Sequence, residues 1–303
     1  MIIKVIVDFE SVLFYNISKL LHNVYNFINR KEIKKMIKYY GGKTRLIKIF
    51  EKYLPTENFE NIIDLFVGGG CCTELLERKY GLGQHYIIND IDENLINFYR
   101  IIENSDLDEL INYFNMNRSK YNLEQIKDFR KCLKNKKFCN EIEQAFYYYT
   151  CIYCGYGGKP YATPTKDKYS NYTRRDIGKD LKKCKYSICN FNVDILNEDY
   201  RNIIFSNSFY YCDPPYCKVG AKEYYGQNGE NHKNFNHEDF CKFVNMLSSM
   251  NNKIMISYED SKTIRDLYKD WNIVEIDKNT TNYNPRTKKS DIIKTNELLI
   301  MNY

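Results

Sequence analysis

The chain has 303 residues, of which 43% are hydrophobic and 28% are charged, and its formal net charge is +6. This length suits one large domain or a core domain joined to a smaller one, with enough apolar residues for a sizeable core. The charged share argues against a membrane protein, whereas the mild positive excess is compatible with a nucleic-acid partner but is weak evidence for one.

The first 35 residues precede every motif in the chain. Residues 5–27 are apolar but are interrupted by Asp8, Glu10 and Lys19, so they resemble neither a membrane span nor the apolar core of a signal peptide. We therefore expect residues 1–35 to be an N-terminal extension of uncertain role. We expect no membrane association and no obligate protein partner.

The eleven cysteines form no recognisable disulfide framework. An odd number of scattered thiols is typical of a reduced, cytoplasmic protein rather than a secreted scaffold. Cys151 and Cys154 form a CxxC pair, to which Cys184 and Cys189 could add two more ligands. Their spacing fits none of the usual zinc patterns, so we expect no metal site.

Apolar runs alternate with helical patterns in residues 36–104 and 191–303. Strands are predicted at residues 62–66, 86–89, 208–212, 253–258, 271–276 and 297–303, and helices at residues 73–80, 93–102, 237–250 and 262–269. Strands that alternate with helices favour a doubly wound α/β sheet. We expect both parts of the chain to belong to one sheet.

The segment between these parts, residues 105–190, breaks the alternation. It is helical at first, then polar, basic and rich in Gly and Tyr, which indicates an inserted second module. Within it, Arg174, Arg175 and the basic cluster 179–185 are candidate DNA phosphate contacts. A solvated basic face is an equally good interpretation of these residues.

A glycine-rich turn, DLFVGGG at residues 64–70, follows the first predicted strand. Glycines at the carboxyl end of a strand let the backbone approach a ligand closely, although an ordinary tight turn has the same composition. Asp90 ends the next strand, where it can either accept hydrogen bonds from ribose hydroxyls or cap the helix that begins near Asp92. Together these features indicate an adenosine-bearing cofactor. Thr73 stands where a dinucleotide fingerprint has its third glycine, which disfavours a nicotinamide.

An apolar strand leads directly into Asp213, Pro214, Pro215 and Tyr216. Two successive prolines end the strand rigidly and leave their carbonyls as acceptors. An amino group on an aromatic base is a poor nucleophile, because its lone pair is delocalised into the ring. Acceptors at the Asp213 carboxylate and the Pro214 carbonyl would favour a pyramidal nitrogen aimed at a methyl donor, with Tyr216 stacked on the base. Such a pocket requires the base to leave the duplex.

The stretch YYGGK at residues 39–43 precedes the glycine turn. Lys43 is a candidate cation for a cofactor carboxylate, although a turn beside a surface lysine would have the same sequence. Residues 217–236, which follow Tyr216, are polar and contain three glycines. They form either a loop that orders over DNA or a surface insertion.

The order of YYGGK, DLFVGGG, Asp90 and DPPY resembles the Dam-type (D12 class) adenine-N6 DNA methyltransferases, from about Ile37 to the end of the chain. The resemblance implies a Rossmann-like sheet that binds S-adenosyl-L-methionine and carries an inserted, mainly helical target-recognition domain at residues 105–190. It implies a site-specific enzyme that methylates a flipped adenine in double-stranded DNA.

The resemblance also implies roles for particular residues. The catalytic residues would be Asp213, Pro214, Pro215 and Tyr216. The cofactor would contact Tyr39, Lys43, Phe66, Gly68, Asp90, Asp194 and Asp213. The module departs from the family, because residues 154–164 read CGYGGKPYATP where many members have a different stretch. The target sequence is therefore not implied.

Other readings remain. The same chemistry would serve RNA adenine, cytosine N4 or a protein amide, although Asp at position 213 favours adenine in DNA. A non-catalytic DNA-binding relative is disfavoured by the intact DPPY. A nicotinamide oxidoreductase is disfavoured by the incomplete glycine pattern and by the absence of an evident acid at a hydride-transfer site.

Overall fold

A computed structural model describes residues 37, 39, 41–81, 83–104, 106–188, 192–216, 235–284 and 289–303. The extension 1–35, most of the segment 217–236 and Cys189 lie outside these described residues, so the predictions made for them stay predictions. Among the described helices, none is long and apolar enough to cross a membrane.

Helices and strands alternate on both sides of a purely helical stretch. The strands are β1 (Asn61–Asp64), β2 (His85–Asn89), β3 (Val193–Leu196), β4 (Phe209–Cys212), β5 (Lys253–Glu259), β6 (Asn272–Asn284) and β7 (Lys289–Met301). The helices are α1 (Ile47–Phe50), α2 (Cys71–Tyr80), α3 (Glu93–Glu103), α4 (Leu107–Asn117), α5 (Leu123–Lys134), α6 (Glu141–Cys154), α7 (Lys166–Arg174), α8 (Ile177–Ile188), α9 (His237–Ser248) and α10 (Lys262–Leu267).

The strands form a single seven-stranded sheet in the order β3-β2-β1-β4-β5-β7-β6. The first five strands of this order are parallel, whereas β7 runs antiparallel to both β5 and β6. The chain moves outward from β1 to β3 and then returns to the other side of β1 with β4. This reversal confirms the predicted Rossmann-like α/β sheet and places a topological switch point between β1 and β4.

Both faces of the sheet are covered at its centre, which explains why the central strands β1 and β4 are almost wholly buried. Successive side chains of β1 go to opposite faces: Ile62 packs in a cluster with α1 and α2, and Ile63 in a cluster with α9 and α10. In β4, Tyr210 and Tyr211 divide between the same two clusters. The sheet therefore holds the turns at its strand ends on a rigid support.

The helical stretch α4–α8 shares a third apolar cluster with α3. Its centre is aromatic: the rings of Phe98 in α3 and Tyr149 in α6 stack with their centroids 5.4 Å apart. A polar network extends this contact, because Asp92 at the start of α3 accepts hydrogen bonds from Tyr148 and Tyr161. The helical stretch is thus tied to the element that follows Asp90.

The last two strands are longer than the apolar pattern predicts. Strand β6 continues beyond Ile276 through a polar stretch, and β7 begins at Lys289 rather than near Glu297. The two strands pair antiparallel from Asn272–Met301 to Asn284–Lys289. Backbone hydrogen bonds between antiparallel neighbours sustain a strand whose sequence has few apolar residues, so hydrophobicity alone underestimates its length.

Candidate active site at the switch point

A cavity of about 430 Å³ opens at the carboxyl ends of β1 and β4. Asp64 is the last residue of β1, and Asp213 directly follows β4. Parallel strands place their carboxyl ends on one edge, and the reversal of strand order leaves a crevice there. The cavity wall includes residues of all four sequence motifs, among them Tyr39, Gly68, Asp90 and Asp213.

The glycine turn packs directly against the Tyr39 side chain. Gly68 adopts a φ of +45°, a region that side chains disfavour. A Cβ at Gly69 would lie 2.7 Å from the Cβ of Tyr39, so any side chain there would displace the tyrosine. Phe66 lines the same cavity and packs edge-on against Phe240. The turn therefore brings backbone and two aromatic rings to the cavity, as a flat ligand requires.

Asp64 lies at the bottom of the cavity with one oxygen in use. Its Oδ2 accepts a hydrogen bond from the Thr73 hydroxyl at 2.6 Å, whereas its buried Oδ1 has no hydrogen-bond partner in the structure. Burial is the main cause that raises the pKa of Asp64 to about 7. The hydrogen bond from Thr73 opposes this rise, and the nearby Asp213 adds to it. A buried acceptor without a partner is costly unless a ligand supplies the donor.

Asp90 is not the helix cap that the sequence left open. Asp92 is the N-cap of α3 and accepts from the Asn94 amide. Asp90 instead accepts from the Gly68 amide at 3.1 Å and the Asp92 amide at 3.0 Å. Burial raises its pKa to about 6. Each carboxylate oxygen keeps a second lone pair, so Asp90 can also accept from ligand hydroxyls.

Asp213 is held by two donors. The Lys43 ammonium lies 2.6 and 2.7 Å from its two oxygens, and the Ser257 hydroxyl donates to Oδ1 at 3.0 Å. The Asp213 side chain is 24% exposed, whereas that of Lys43 is 2% exposed. The pKa of Asp213 is raised, mainly by burial; Lys43 lowers it and Glu297 raises it. The carboxylate is therefore oriented by one buried cation and one hydroxyl.

Of the rest of the tetrapeptide, Pro215 lines the cavity, whereas Tyr216 and the buried Pro214 are not part of its wall. Tyr216 donates a short hydrogen bond from its hydroxyl to Glu297, and the Lys43 ammonium lies 4.7 Å from the centre of its ring. The structure thus brings Lys43 to Asp213 and Tyr216, from which it is distant in sequence.

Asp194 is the predicted cofactor contact that does not line the cavity. Its side chain is 59% exposed and contacts the His85 ring at 3.0 Å. It is the second residue of β3, whereas ligands bind beyond the carboxyl end of a strand. Glu198 and Asp199, which follow that end, line the cavity. The role of Asp194 therefore stays a prediction.

Two residues of the site had no predicted role. Ser257 lies within β5 and Glu297 within β7, and both are buried, with Glu297 only 2% exposed. Ser257 interrupts an apolar run and Glu297 directly precedes one, which is the only signal that marks them in the sequence. Their contacts with Asp213, Lys43 and Tyr216 depend on strand order, which no local pattern shows.

The two candidate DNA contacts lie at the end of α7. Arg174 is exposed and folds back on Ser170, to which its guanidinium donates two hydrogen bonds. Arg175 forms an ion pair with Asp180, and its guanidinium lies 5.1 Å from the ring centre of Tyr153. A phosphate would have to compete with Asp180 for Arg175 but only with a serine for Arg174.

Within the described part of the chain, no group of three or more His, Cys, Asp or Glu residues is placed to hold a metal ion. The thiols of Cys151, Cys154 and Cys184 are reduced and buried. Burial raises the pKa of each thiol, to about 12 for Cys154 and Cys184. These cysteines behave as apolar core residues at neutral pH.

Comparison with known proteins gives a consistent result. Residues 39–282 match the model of a family described as D12 class N6 adenine-specific DNA methyltransferase. Type II methyltransferase M.MjaIII of Methanocaldococcus jannaschii is 29% identical, over 90% of this chain and 100% of its own. Type II methyltransferase M1.LlaDCHI of Lactococcus lactis subsp. cremoris is 25% identical, over 91% and 97%. Type II methyltransferase M.CviBI of Paramecium bursaria Chlorella virus NC1A is also 25% identical, over 89% and 100%.

Proposed function

Because the chain belongs to the D12 class N6 adenine-specific DNA methyltransferase family, we propose roles in methyl transfer for the residues around its cavity. The protein is a site-specific DNA adenine methyltransferase, and its methyl donor is S-adenosyl-L-methionine. The recognised family and activity are those that the motif order predicted. Membership in an adenine-N6 family also sets aside the cytosine N4, protein amide and nicotinamide alternatives.

The residues of the cavity fit this donor. S-adenosyl-L-methionine carries an adenosine, a positively charged sulfonium and an amino-acid end. The cavity offers carboxylate acceptors at Asp64 and Asp90 and a flat apolar wall at Tyr39 and Phe66. The partnerless oxygen of Asp64 is the most specific feature, because a cationic or N–H donor group is what it needs. When bound, the cofactor supplies an electrophilic methyl group.

We assign the cofactor contacts accordingly. Asp90 accepts from the ribose hydroxyls, while Tyr39, Phe66 and Gly68 line the binding surface. Lys43 donates to Asp213, Glu297 and the Gly41 carbonyl, at 2.6, 3.3 and 3.4 Å, and an ammonium has three protons to donate. Its principal partner is therefore Asp213. The predicted contact between Lys43 and a cofactor carboxylate stays a prediction, and so does any contact at Asp194.

The geometry of Asp213 carries the proposed mechanism. A carboxylate has about four lone-pair positions. Lys43 contacts both oxygens and Ser257 donates to Oδ1, so Oδ2 keeps one position for the target amino group. A second N–H can go to the Pro214 carbonyl. These two acceptors favour a pyramidal nitrogen and stabilise the positive charge that develops on it during transfer.

Proton balance gives Asp213 a second role. When the new N–C bond forms, the nitrogen carries one proton too many and must release it. Oδ2 of Asp213 already accepts a hydrogen bond from that nitrogen, and burial raises the pKa of this carboxyl. Asp213 therefore receives the proton and passes it to water after the product leaves. Tyr216 stacks on the base and holds it in register with the carboxylate.

The substrate we propose is double-stranded DNA with the target adenine flipped out of the helix. Asp213 and Pro215 line a cavity, so a base inside a duplex cannot reach them. The helical stretch of residues 105–190 would be the target-recognition domain, joined to residues 36–104 and 191–303 as the catalytic domain. Buried reduced thiols suit a cytoplasmic enzyme.

The position of Asp213, clamped by Lys43 at the switch point, is the observation that carries this proposal. The test is transfer of labelled methyl from S-adenosyl-L-methionine to mixed-sequence duplex DNA, followed by nucleoside analysis. We expect N6-methyladenine in duplex DNA and little label in RNA. Cofactor binding without any N6-methyladenine would contradict the proposal.

Asp90→Asn should weaken cofactor binding by about tenfold or more, since a hydrogen bond to a charged group contributes ~1.5–3 kcal/mol. The pKa of Asp90 is about 6, and only the ionised form accepts from two hydroxyls. Wild-type affinity should therefore be full above this pKa and decline as the pH falls through it. Titration calorimetry between about pH 5 and pH 8, a range that brackets the raised pKa of Asp90, measures both effects.

Asp64 also titrates in this range, so the difference between wild type and Asp90→Asn reports Asp90. Equal affinity of both proteins at every pH would remove Asp90 from the cofactor site.

Arg174→Ala should lower DNA affinity several-fold at low salt while leaving cofactor affinity unchanged. Removal of one phosphate contact also reduces the slope of log affinity against log salt by about one. Fluorescence anisotropy with duplex DNA at several salt concentrations measures the slope. An unchanged slope would make Arg174 part of a solvated face.

A further inference from the structure

Glu297 is a buried carboxylate at the edge of the catalytic cluster. It lies in β7, opposite Glu259 of β5, and only 2% of it is exposed. A buried carboxylate costs several kcal/mol unless strong partners compensate. Glu297 has two partners in the site: the Tyr216 hydroxyl donates to Oε1, and the Lys43 ammonium lies 3.3 Å from the same oxygen.

These two partners serve different parts of the reaction. Tyr216 presents the ring that stacks on the target base, and Lys43 clamps the carboxylate that accepts the target amino group. Neither partner could hold the other at a fixed distance alone, since a lysine side chain is flexible and a tyrosine ring rotates. Oε1 of Glu297 therefore links the Tyr216 hydroxyl to the Lys43 ammonium that holds Asp213. Lys43 also lies 4.7 Å from the centre of that ring.

We propose that Glu297 is a positioning residue for methyl transfer, which fixes the Tyr216 ring and the Lys43–Asp213 pair as one rigid unit. Glu297 does not touch the base; it acts through Tyr216 and Lys43. The inference rests on the proposed roles of Asp213 and Tyr216. It adds a residue of the final strand to a site that is otherwise built from the Lys43 loop, the strand ends of β1, β2 and β4, and Ser257 of β5.

The strand order explains why this residue is available. Strand β7 is inserted antiparallel between β5 and β6, and its pairing with β5 begins at Glu297, beside Glu259 at the end of β5. The carboxyl ends of the parallel strands, and with them the site, lie at this same edge of the sheet. Because β7 runs in the opposite direction, a residue early in its paired segment reaches the cluster. In a parallel strand, only a residue at the carboxyl end could reach the site. In the antiparallel β7, a residue at the start of its pairing with β5 reaches it.

The test measures single-turnover methyl transfer by the full chain at saturating S-adenosyl-L-methionine and duplex DNA. Glu297→Gln keeps the shape and one acceptor but removes the charge, so we expect the rate to fall about tenfold, as for loss of one charge-assisted hydrogen bond. Cofactor affinity should stay within about threefold of wild type. Glu275→Gln is the matched control, because Glu275 lies on the neighbouring strand and pairs with Arg265 at the surface.

Two further readouts separate positioning from a merely structural role. Tyr216→Phe removes the hydroxyl that Glu297 holds, so Glu297→Gln should slow the Tyr216→Phe enzyme much less than it slows wild type. The acid limb of the rate profile should also move to lower pH in Glu297→Gln. The charges that face Asp213 are Lys43, Asp64 and Glu297, and among them Glu297 raises its pKa.

The outcomes are decisive. A wild-type rate for Glu297→Gln, or an equal loss in the wild-type and Tyr216→Phe backgrounds, would overturn the inference. If Glu297→Gln does not fold, Tyr216→Phe decides alone, and a wild-type rate for that variant overturns it. Asp213→Ala keeps the two proposals apart: inactivity with a normal Glu297→Gln removes only this inference, whereas activity of Asp213→Ala removes the proposed mechanism.

Discussion

Asp213→Ala is expected to reduce methyl transfer at least about 10²–10³-fold, the range seen when one preorganised group at a reacting centre is removed. The substitution removes the acceptor that Oδ2 offers to the target amino group and the group that takes its proton. It leaves the helical stretch of residues 105–190 unchanged, because Asp213 lies outside that stretch, at the switch point of the sheet. DNA affinity should therefore stay within a few-fold of wild type.

The measurement pairs single-turnover transfer with a DNA-binding isotherm on the same protein. Asp213→Asn is the closer variant: it keeps the shape but places an amide where a carboxylate is needed, and it should also be strongly impaired. Asp266→Ala, an exposed carboxylate on α10, is the control and should transfer at the wild-type rate. Loss of DNA binding together with transfer would reassign Asp213 to a structural role.

Lys43→Met is expected to have the second largest effect. Methionine keeps the length of the side chain but removes the cation that lies between Asp213 and Glu297. Two partly buried carboxylates then share a site without a counter-charge, which disfavours ionisation of both. Lys43 lowers the pKa of Asp213, so its removal must raise that pKa. At neutral pH we expect the transfer rate to fall about a hundredfold, since transition-state charge stabilisation by one group is of this order.

The sign of the pH dependence identifies the cause. Transfer needs ionised Asp213, so the acid limb of the rate profile should move to higher pH in Lys43→Met and activity should partly return in alkaline buffer. This shift is opposite to that expected for Glu297→Gln. An acid limb unchanged from wild type, with the loss confined to cofactor affinity, would instead assign Lys43 to the cofactor carboxylate.

Thermal stability supplies an independent check on the same charges. Lys43→Met leaves buried carboxylates uncompensated and should lower the melting temperature, since breaking a buried ion pair by removing one partner costs ~3–5 kcal/mol. The double variant Lys43→Met/Glu297→Gln removes one of those carboxylates and should recover part of the loss. A double variant less stable than Lys43→Met alone would show that the charges are not coupled.

Much of the site could be predicted because its motifs are contiguous. The glycine turn, Asp90 and the DPPY tetrapeptide each follow an apolar strand directly. Each is therefore predicted to lie at the carboxyl edge of a parallel sheet. The Lys43 loop was also predicted as part of the site. What the sequence did not show is its partner: Lys43 clamps Asp213, which lies 170 positions along the chain.

What the sequence did not predict depends on contacts between distant parts of the chain. Asp194 is expected at the cofactor from the family resemblance, yet it lies near the start of β3 and contacts His85, so its role stays a prediction. Strands β6 and β7 are longer than predicted, because antiparallel backbone pairing extends them through a stretch whose sequence has few apolar residues. Ser257 and Glu297 gave only the weak signal of a polar residue within or beside an apolar run, and no local pattern indicates which cavity such a residue faces.

The sequence by itself determined the fold class and, through the family resemblance of its motif order, the cofactor and the chemical class of the reaction. Alternating strands and helices favour a doubly wound sheet, and each short motif has a chemistry that its own residue types set. Only the tertiary structure decided how those motifs act on one another. Strand order brings β1 against β4 and inserts β7 antiparallel beside β5. That order makes Asp213, Lys43, Tyr216 and Glu297 one electrostatic unit, because charges interact through distances in space and not through separation along the chain.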